Sequence, residues 1–465
     1  MHTDKLTPDN SGRSPHTTRG EGVFISTYGC QMNVNDTDRM HALLEMMNIP
    51  QVSRPEDASL IIINSCSVRE KAVHKVHSEA GKYKKLKDKR PDLKIGVGGC
   101  VGQQEKGKLL LDVPVLDFVF GTDSIDKLPQ IVQEVREKDR RVVSAQFTHA
   151  EPYQIETLVK NPGVATFVNI MKGCDNFCTF CVVPFTRGRE KSRATAEILL
   201  DVHKLIARGV KEVTLLGQNV NSYKSPAEDA ADFGQLLRRL ATETAIERIR
   251  YTTSHPKDFN LELAHIMRDH REKVMEYIHL PAQSGNTEVL ARMNRGYTRE
   301  EYIAKAHMLL KEVPGSVLST DIIVGFPGET DEQFEDTMRL LEEVPYESIY
   351  AFKYSPRPNT KASKFTDQVP EEVKSERLTR LLARHREIAF EISKKYLGQD
   401  LHVLVEEYHQ DGDRCFGRST QNKSVHFQGS ARLVGTTVPV RITQAFPSTL
   451  HGELAPGFVK EAELA

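Results

Sequence analysis

Strand-sized apolar runs alternating with helical patterns constrain this chain more than any other feature. The runs Val23-Phe24-Ile25-Ser26-Thr27, Leu60-Ile61-Ile62-Ile63-Asn64, Lys94-Ile95-Gly96-Val97-Gly98 and Phe118-Val119-Phe120 read as buried strands. Helical patterns over about Asn33–Met47, Val68–Lys87 and Gln103–Leu110 lie between them. This alternation predicts an α/β fold with a doubly wound parallel sheet. Parallel strands end on one edge, and ligands of such sheets bind outside those ends. A cysteine follows each of the first three runs closely: Cys30 in Tyr28-Gly29-Cys30-Gln31, Cys66 in Asn64-Ser65-Cys66-Ser67, and Cys100 in Gly98-Gly99-Cys100-Val101. Topology therefore gathers three residues that are distant in sequence. Buried cysteines acting as small apolar residues are the plain alternative, but chance would scatter them. Glycines beside Cys30 and Cys100 suit close approach of the backbone to a bulky group. A three-thiolate site is expected on this edge.

After a linker around Glu151–Gly163 the rhythm resumes. Strands are expected at Thr166–Met171, Glu212–Gly217, Arg248–Thr253, Glu276–Leu280, Ser319–Val324 and Ser348–Tyr354. Helical patterns at Ala194–Arg208, Phe233–Ala241, Leu261–Asp269, Arg299–Val313 and Asp331–Glu343 separate them. Six such units suit an open, partial (β/α)6 barrel, with its chemistry at the carboxyl ends of the strands. The first strand leads into Gly173-Cys174-Asp175-Asn176-Phe177-Cys178-Thr179-Phe180-Cys181, spaced C-x3-C-x2-C. A closed zinc or iron–sulfur site takes four ligands, and no fourth Cys or His lies nearby. A cluster held by three thiolates leaves one iron open to a reacting ligand. A zinc knuckle completed from elsewhere, or unmetallated thiols, are the alternatives. The other strand ends carry Gly217-Gln218-Asn219, Ser254-His255-Pro256, Pro281-Ala282-Gln283-Ser284 and Gly325-Phe326-Pro327-Gly328-Glu329. His255 precedes a proline with no acid–base partner in view, which favours a structural role.

The net charge of −1 predicts no partner by itself, so any nucleic-acid contact must use local patches. Seven cysteines over 465 residues do not form a disulfide framework. A reducing cytoplasmic setting is expected, and no apolar run is long enough for a membrane span. Residues 1–22 read as a disordered tail. Glu371–Tyr396 reads as one long helix flecked with cations, either a solvated linker or an RNA contact. Beyond it, alternating segments at Leu401–Glu407, Arg414–Arg418, Ser424–Phe427 and Val438–Ala445 predict a small all-β barrel. Cys415 falls there, as a spare core residue. Two basic stretches, Lys82–Arg90 and Arg187–Arg193, are candidate phosphate contacts; for the first, a solvated helix face is the alternative. The expected division is 23–150, 160–372, a linker helix at 373–397, and a barrel at 398–460.

The Gly173–Cys181 stretch, with an aromatic at Phe180 before its last cysteine, resembles the signature of the radical S-adenosylmethionine (SAM) enzymes. Tyr28-Gly29-Cys30-Gln31-Met32-Asn33, Asn64-Ser65-Cys66-Ser67-Val68-Arg69-Glu70-Lys71, Gly98-Gly99-Cys100 and Thr186-Arg187-Gly188-Arg189 extend the likeness to the methylthiotransferase family. The resemblance covers nearly the whole chain after about residue 22. It implies two 4Fe–4S clusters, one on Cys30, Cys66 and Cys100 and one on Cys174, Cys178 and Cys181. It implies that SAM serves both as methyl donor and as radical source. Phe180, Gln218, Ser254, Gln283, Ser284 and Gly325 would contact it. Many radical enzymes carry an acid where Gln218 stands; a neutral amide accepts the methionyl ammonium without charge assistance. The implied reaction replaces C–H by C–S at carbon 2 of an N6-isopentenyladenosine in the tRNA anticodon loop. The terminal barrel resembles the TRAM-like RNA-binding module of tRNA-modifying enzymes. A low-potential electron donor and a monomeric chain are expected. Sibling substrates are threonylcarbamoyl-adenosine or a ribosomal-protein aspartate. A non-catalytic iron–sulfur RNA sensor is the reading from another class; release of 5′-deoxyadenosine from SAM separates it from an enzyme.

Overall fold

The computed structural model describes residues 22–67, 72–147, 153 and 155–458. The expected tail, and the Val68–Lys71 start of the second helical pattern, lie outside the described residues, apart from Gly22. Five parallel strands form the first sheet: β1 (Val23–Tyr28), β2 (Leu60–Ser65), β3 (Lys94–Gly98), β4 (Phe118–Phe120) and β5 (Val142–Ser144). They stand in sequence order and are all parallel. The connecting helices are α1 (Gln31–Glu45), α2 (Ala72–Lys89), α3 (Gly99–Glu105), α4 (Gly107–Asp112) and α5 (Leu128–Lys138). Along β2 the side chains alternate between two cores, as the period of a strand requires. Ile61 and Ile63 pack with Val76 and Ala80 of α2 and Leu109 of α4. Leu60 and Ile62 pack with Met40 and Leu44 of α1 and Ile131 of α5. Helices cover both faces, and each face is apolar, as a parallel sheet demands.

The second unit has six parallel strands in two sheets. β6 (Ala165–Asn169) is followed by a short hairpin, β7 (Met171–Lys172) and β8 (Lys191–Ser192), with α6 (Val183–Thr186) between them. Then come α7 (Thr195–Ala207), β9 (Glu212–Leu216), α8 (Phe233–Glu243), β10 (Arg248–Tyr251), α9 (Leu261–Asp269), β11 (Tyr277–His279), α10 (Thr287–Arg292), α11 (Arg299–Glu312), β12 (Val317–Val324), α12 (Asp331–Glu343) and β13 (Tyr346–Lys353). Sheets β10-β9-β6 and β11-β12-β13 are linked by a bridge between Ile249 and Val274. The six expected strands are all present, and one continuous core fills the space between strands and helices.

The helix α13 (Glu371–Lys394) is docked, not a solvated linker. Arg377, buried, pairs with Glu329 at 2.9 Å, while the half-exposed Arg380 and Arg384 pair across to Glu335 and Glu342 at 2.6 Å each. Five strands then close a barrel: β14 (Asp400–His409), β15 (Arg414–Arg418), β16 (Ser424–Gln428), β17 (Thr437–Ala445) and β18 (Thr449–Leu454). This barrel seats on the amino ends of the core strands. Arg248, at the start of β10, donates to the carbonyls of Arg418 and His402. Arg250 donates to those of Ser419 and Thr420. Glu212, at the start of β9, pairs with Arg250 at 2.9 Å and Arg418 at 3.0 Å. The carboxyl ends, which carry the cysteine loop, are left on the other side.

Candidate active site

Cys30 is the N-cap of α1, Cys66 is the first residue after β2, and Cys100 lies in the first turn of α3. All three stand at the carboxyl edge of the first sheet, where the strand pattern put them. Glycine is needed at two neighbouring positions. Gly29 has φ +132°, and a Cβ there would meet the Cys66 Cβ at 2.2 Å. Gly99 has φ +81°, and its Cβ would meet Asn64 Oδ1 at 2.3 Å. The thiols interact with one another. Hydrogen bonding from Cys66 pulls Cys30 down to about 6 and Cys100 down to about 7, and the buried Arg187 guanidinium acts in the same direction. Cys66 itself is pushed up by its two thiol neighbours, Cys100 first. A polar frame holds this edge. Asn33 Nδ2 donates to Asn64 Oδ1 (3.1 Å), while Asn64 Nδ2 donates to the Asn33 carbonyl (2.8 Å) and to Thr37 Oγ1 (2.9 Å). The hydroxyls of Ser65 and Ser67, on either side of Cys66, are buried without a hydrogen-bond partner among the described residues. Buried donors with nothing to donate to are costly unless a ligand supplies acceptors. Three interacting thiols and two orphaned donors fit a sulfur-rich cluster.

Helix α1 serves both units. Its first turn carries Asn33 toward the three thiols. Further on, Asp36 pairs with Arg187 at 2.7 Å, both side chains being 7% exposed. Asn35 accepts from Asn169 Nδ2 (2.6 Å) at the end of β6, the strand that leads to the second cysteine set. Thr122 Oγ1 also donates to the Thr186 carbonyl at 2.7 Å. The two edges therefore meet across a buried polar seam.

Cys174, Cys178 and Cys181 lie on the loop that follows β7. The loop is pinned from several sides. Gly173 N–H donates to Gln218 Oε1. Thr179 N–H donates to the Met293 carbonyl (3.0 Å), and Thr179 Oγ1 to the Arg292 carbonyl (2.9 Å). Asn294 Nδ2 reaches the carbonyls of Asn176 and Phe177 at 3.2 Å each. Ala362 N–H donates to the Thr179 carbonyl at 2.8 Å. Arg295, buried, donates to Cys178 Sγ at 3.3 Å and to the Pro281 carbonyl at 2.9 Å. Burial pushes Cys174 up to about 11 and Cys181 up to about 12, so these thiols ionise only with a compensating cation. Among the described residues no set of His, Cys, Asp and Glu closes to the spacing of a single metal ion.

The remaining strand ends make a cradle beside this loop. Asn219 Oδ1, Ser254 Oγ and His255 Nε2 are buried there without partners among the described residues. His255 accepts from Lys257 N–H through Nδ1, and burial, aided by Arg295, pulls it down to about 2, so it is neutral. Gln283 has φ +71° and exchanges backbone hydrogen bonds with Asp321 and Ile323. Other predicted contacts are already engaged within the protein. The oxygen of Gln218 holds the cysteine loop. Ser284 Oγ accepts from Asn286 N–H. Gly325 N–H donates to the Glu329 carboxylate that Arg377 holds. Phe180 packs against the cluster of Met293, Phe326 and Ala362.

The stretch Arg187–Arg193 divides. Arg187 and Arg193 are buried in ion pairs with Asp36 and Asp201, which removes them as phosphate contacts. Arg189 is 64% exposed. Sequence reasoning missed Arg295, Asn294 and Asp36, which carry no motif. Asn33 and Asn64 stood inside quoted motifs, but a strand-end asparagine gives no sign of its partner. Cys415 is fully buried in the terminal barrel, away from both sets.

Three family models match in order: "Uncharacterized protein family UPF0004" over residues 22–121, "Radical SAM superfamily" over 168–341, and "TRAM domain" over 394–455. Radical SAM membership implies a 4Fe–4S cluster and SAM. In fold, the chain is similar to the radical SAM methyltransferase TsrM of Kitasatospora setae, with a TM-score of 0.54 and 15% identity over 75% of this chain and 74% of that one. A curated tRNA-2-methylthio-N(6)-dimethylallyladenosine synthase of Bdellovibrio bacteriovorus is 62% identical over 442 residues, 95% of this chain and 97% of the relative. That of Geobacillus thermodenitrificans is 46% identical over 441 residues, 94% of this chain and 84% of the relative. The chain belongs to the family of the tRNA-2-methylthio-N(6)-dimethylallyladenosine synthases, within the radical SAM enzymes.

Proposed function

We propose that this enzyme methylthiolates carbon 2 of N6-isopentenyladenosine beside the anticodon of tRNA, with a second cluster on Cys30, Cys66 and Cys100. The observation that carries this reading is the meeting of two three-thiol edges across the α1 seam, through Asp36 and Arg187. When bound, the clusters and SAM supply radical cleavage and a sulfur carrier, the means to convert an unactivated C–H to C–S. The chain's own groups do the placing. Arg295 and the Thr179 and Asn294 bonds fix the Cys174–Cys181 loop. Arg187 sets a positive charge beside Cys30 and Cys100. Ser254, with Asn219 and neutral His255, offers polar atoms to SAM, and Gln283 is added on its strained turn. Gln218 through the cysteine loop, Gly325 through Glu329 and Arg377 of α13, Ser284 through Asn286, and Phe180 by packing shape the same cradle. The base must leave its stack to reach this edge. A row of rings crosses the terminal barrel from β15 to β18: Phe416–His426 at 5.1 Å, His426–His451 at 5.4 Å, and Phe446–His451 at 5.1 Å. It gives a module without a net excess of cations a face on which RNA bases can stack. A low-potential donor supplies electrons, and one chain holds every group named.

The test is mass spectrometry of tRNA nucleosides from a strain lacking this gene. The 2-methylthio nucleoside should vanish, N6-isopentenyladenosine should accumulate, and the intact gene should restore the product. An unchanged nucleoside profile contradicts the reading.

A further inference from the structure

We propose that the open groove between the Cys174–Cys181 loop and residues 361–367 binds the RNA strand flanking the target adenosine. The phosphates would lie on Lys361 and Lys364, and an unstacked base on Phe177. This rests on the tRNA reading above and names the subsite that reading leaves open. The groove encloses about 840 Å³, and its lining includes Phe177, Arg292, Lys361, Lys364, Phe365 and Asp367.

Three observations point to RNA. Phe177 is 48% exposed, although Cys174, Cys178 and Cys181 of the same loop are half-buried. It holds φ +48°, a region that a bulky residue rarely adopts, and Asn294 fixes it there through the carbonyls of Asn176 and Phe177. The exposed ring is therefore held in place. One side of it meets the Arg189 guanidinium at 5.3 Å, an arrangement suited to base stacking. The charge is also one-sided. Asp367 is paired with Arg292 at 2.5 Å, while no ion pair among the described residues includes Lys361 or Lys364. Finally, none of the orphaned polar atoms of the SAM cradle (Asn219, Ser254, His255) lines the groove, so it is a separate subsite. An acidic electron-donor protein would also favour the lysines, but it gives no reason for a fixed, exposed ring in a concave site.

The test uses full-length enzyme carrying both clusters, a fluorescent isopentenylated anticodon stem–loop, and anaerobic anisotropy over a salt series. Lys361→Glu with Lys364→Glu should weaken RNA binding more than tenfold. The slope of log K against log salt should fall by about 1.4, two contacts at about 0.7 each on single-stranded RNA. Phe177→Ala should weaken binding about tenfold with the slope unchanged. Dithionite-driven SAM cleavage without RNA should stay at the wild-type rate in the lysine variant. Wild-type RNA affinity and slope in that variant overturn the inference. If its reduction by a protein donor is lost at the same time, the groove is a donor-docking site instead. A wild-type enzyme that binds no stem–loop overturns the tRNA reading and this inference with it, whereas normal wild-type binding and product with indifferent variants overturns the inference alone.

Discussion

At the scale of single residues the site depends on buried charges and neutral rings that no motif announces. Arg295 is the clearest case. Its guanidinium is the only side-chain donor seen on Cys178 among the described residues, and it also satisfies the Pro281 carbonyl and Tyr297 hydroxyl. Replacing it with Met takes the donor from Cys178 and leaves the Pro281 carbonyl only the Tyr297 hydroxyl at 3.1 Å; each lost bond costs about 0.5–1.5 kcal/mol. Thermal unfolding of apo-protein should show the loss, and an unchanged melting temperature would mean that the loop does not need it. His255 gives a pH test. Its folded value lies near 2, below the ordinary histidine value of 6.5. The unfolded chain therefore binds a proton that the folded one refuses, and stability falls as pH drops below about 6.5. His255→Gln should flatten the pH dependence of urea unfolding between about 6.5 and 4; an identical slope in the variant contradicts the assignment. Cys415 is fully buried in the barrel, with Ser430 O at 3.6 Å. Cys415→Ser should leave the iron content of anaerobically purified enzyme unchanged.

At the scale of elements, the strand ends were legible because strands are short, apolar and followed by their functional residues. Cys30, Cys66 and Cys100 could be placed together from alternation alone. The β7–β8 hairpin could not, because strands of two residues leave no periodic signal. The long helix α13 was legible as a helix, but not as a docked one. Its cations read as solvent-facing until Glu329, Glu335 and Glu342, contributed by the Gly325–Glu329 turn and α12, came into reach. The terminal barrel's docking was equally hidden. It depends on Glu212, a charge that opens the buried strand β9 and is itself fully buried between Arg250 and Arg418. Removing one partner from such a cluster leaves uncompensated charge and costs about 3–5 kcal/mol. Glu212→Ala should therefore loosen the barrel, and limited proteolysis should cut near Lys394–Gln399 faster than in wild type. Equal cutting rates would show that the ion network does not hold the interface.

At the scale of the whole molecule, three units divide the work around one central barrel. The first sheet and the cysteine loop meet at its carboxyl edge, joined by α1, while the terminal barrel grips its amino edge. Each unit has its own core, so loss of one thiol set should leave the other unit folded. The seam between the first two units was not legible in the sequence, since Asp36 and Arg187 are far apart and each has an ordinary surface residue's identity. Two loaded clusters should give about eight irons per chain. The measurement that bears most directly on this division is the product formed by enzyme carrying Cys30→Ala, Cys66→Ala and Cys100→Ala. With reductant and isopentenylated tRNA it should still release 5′-deoxyadenosine from SAM and should place no methylthio group on the tRNA. Methylthiolated tRNA from that variant would contradict the assignment of the first sheet's edge as the sulfur-carrying site.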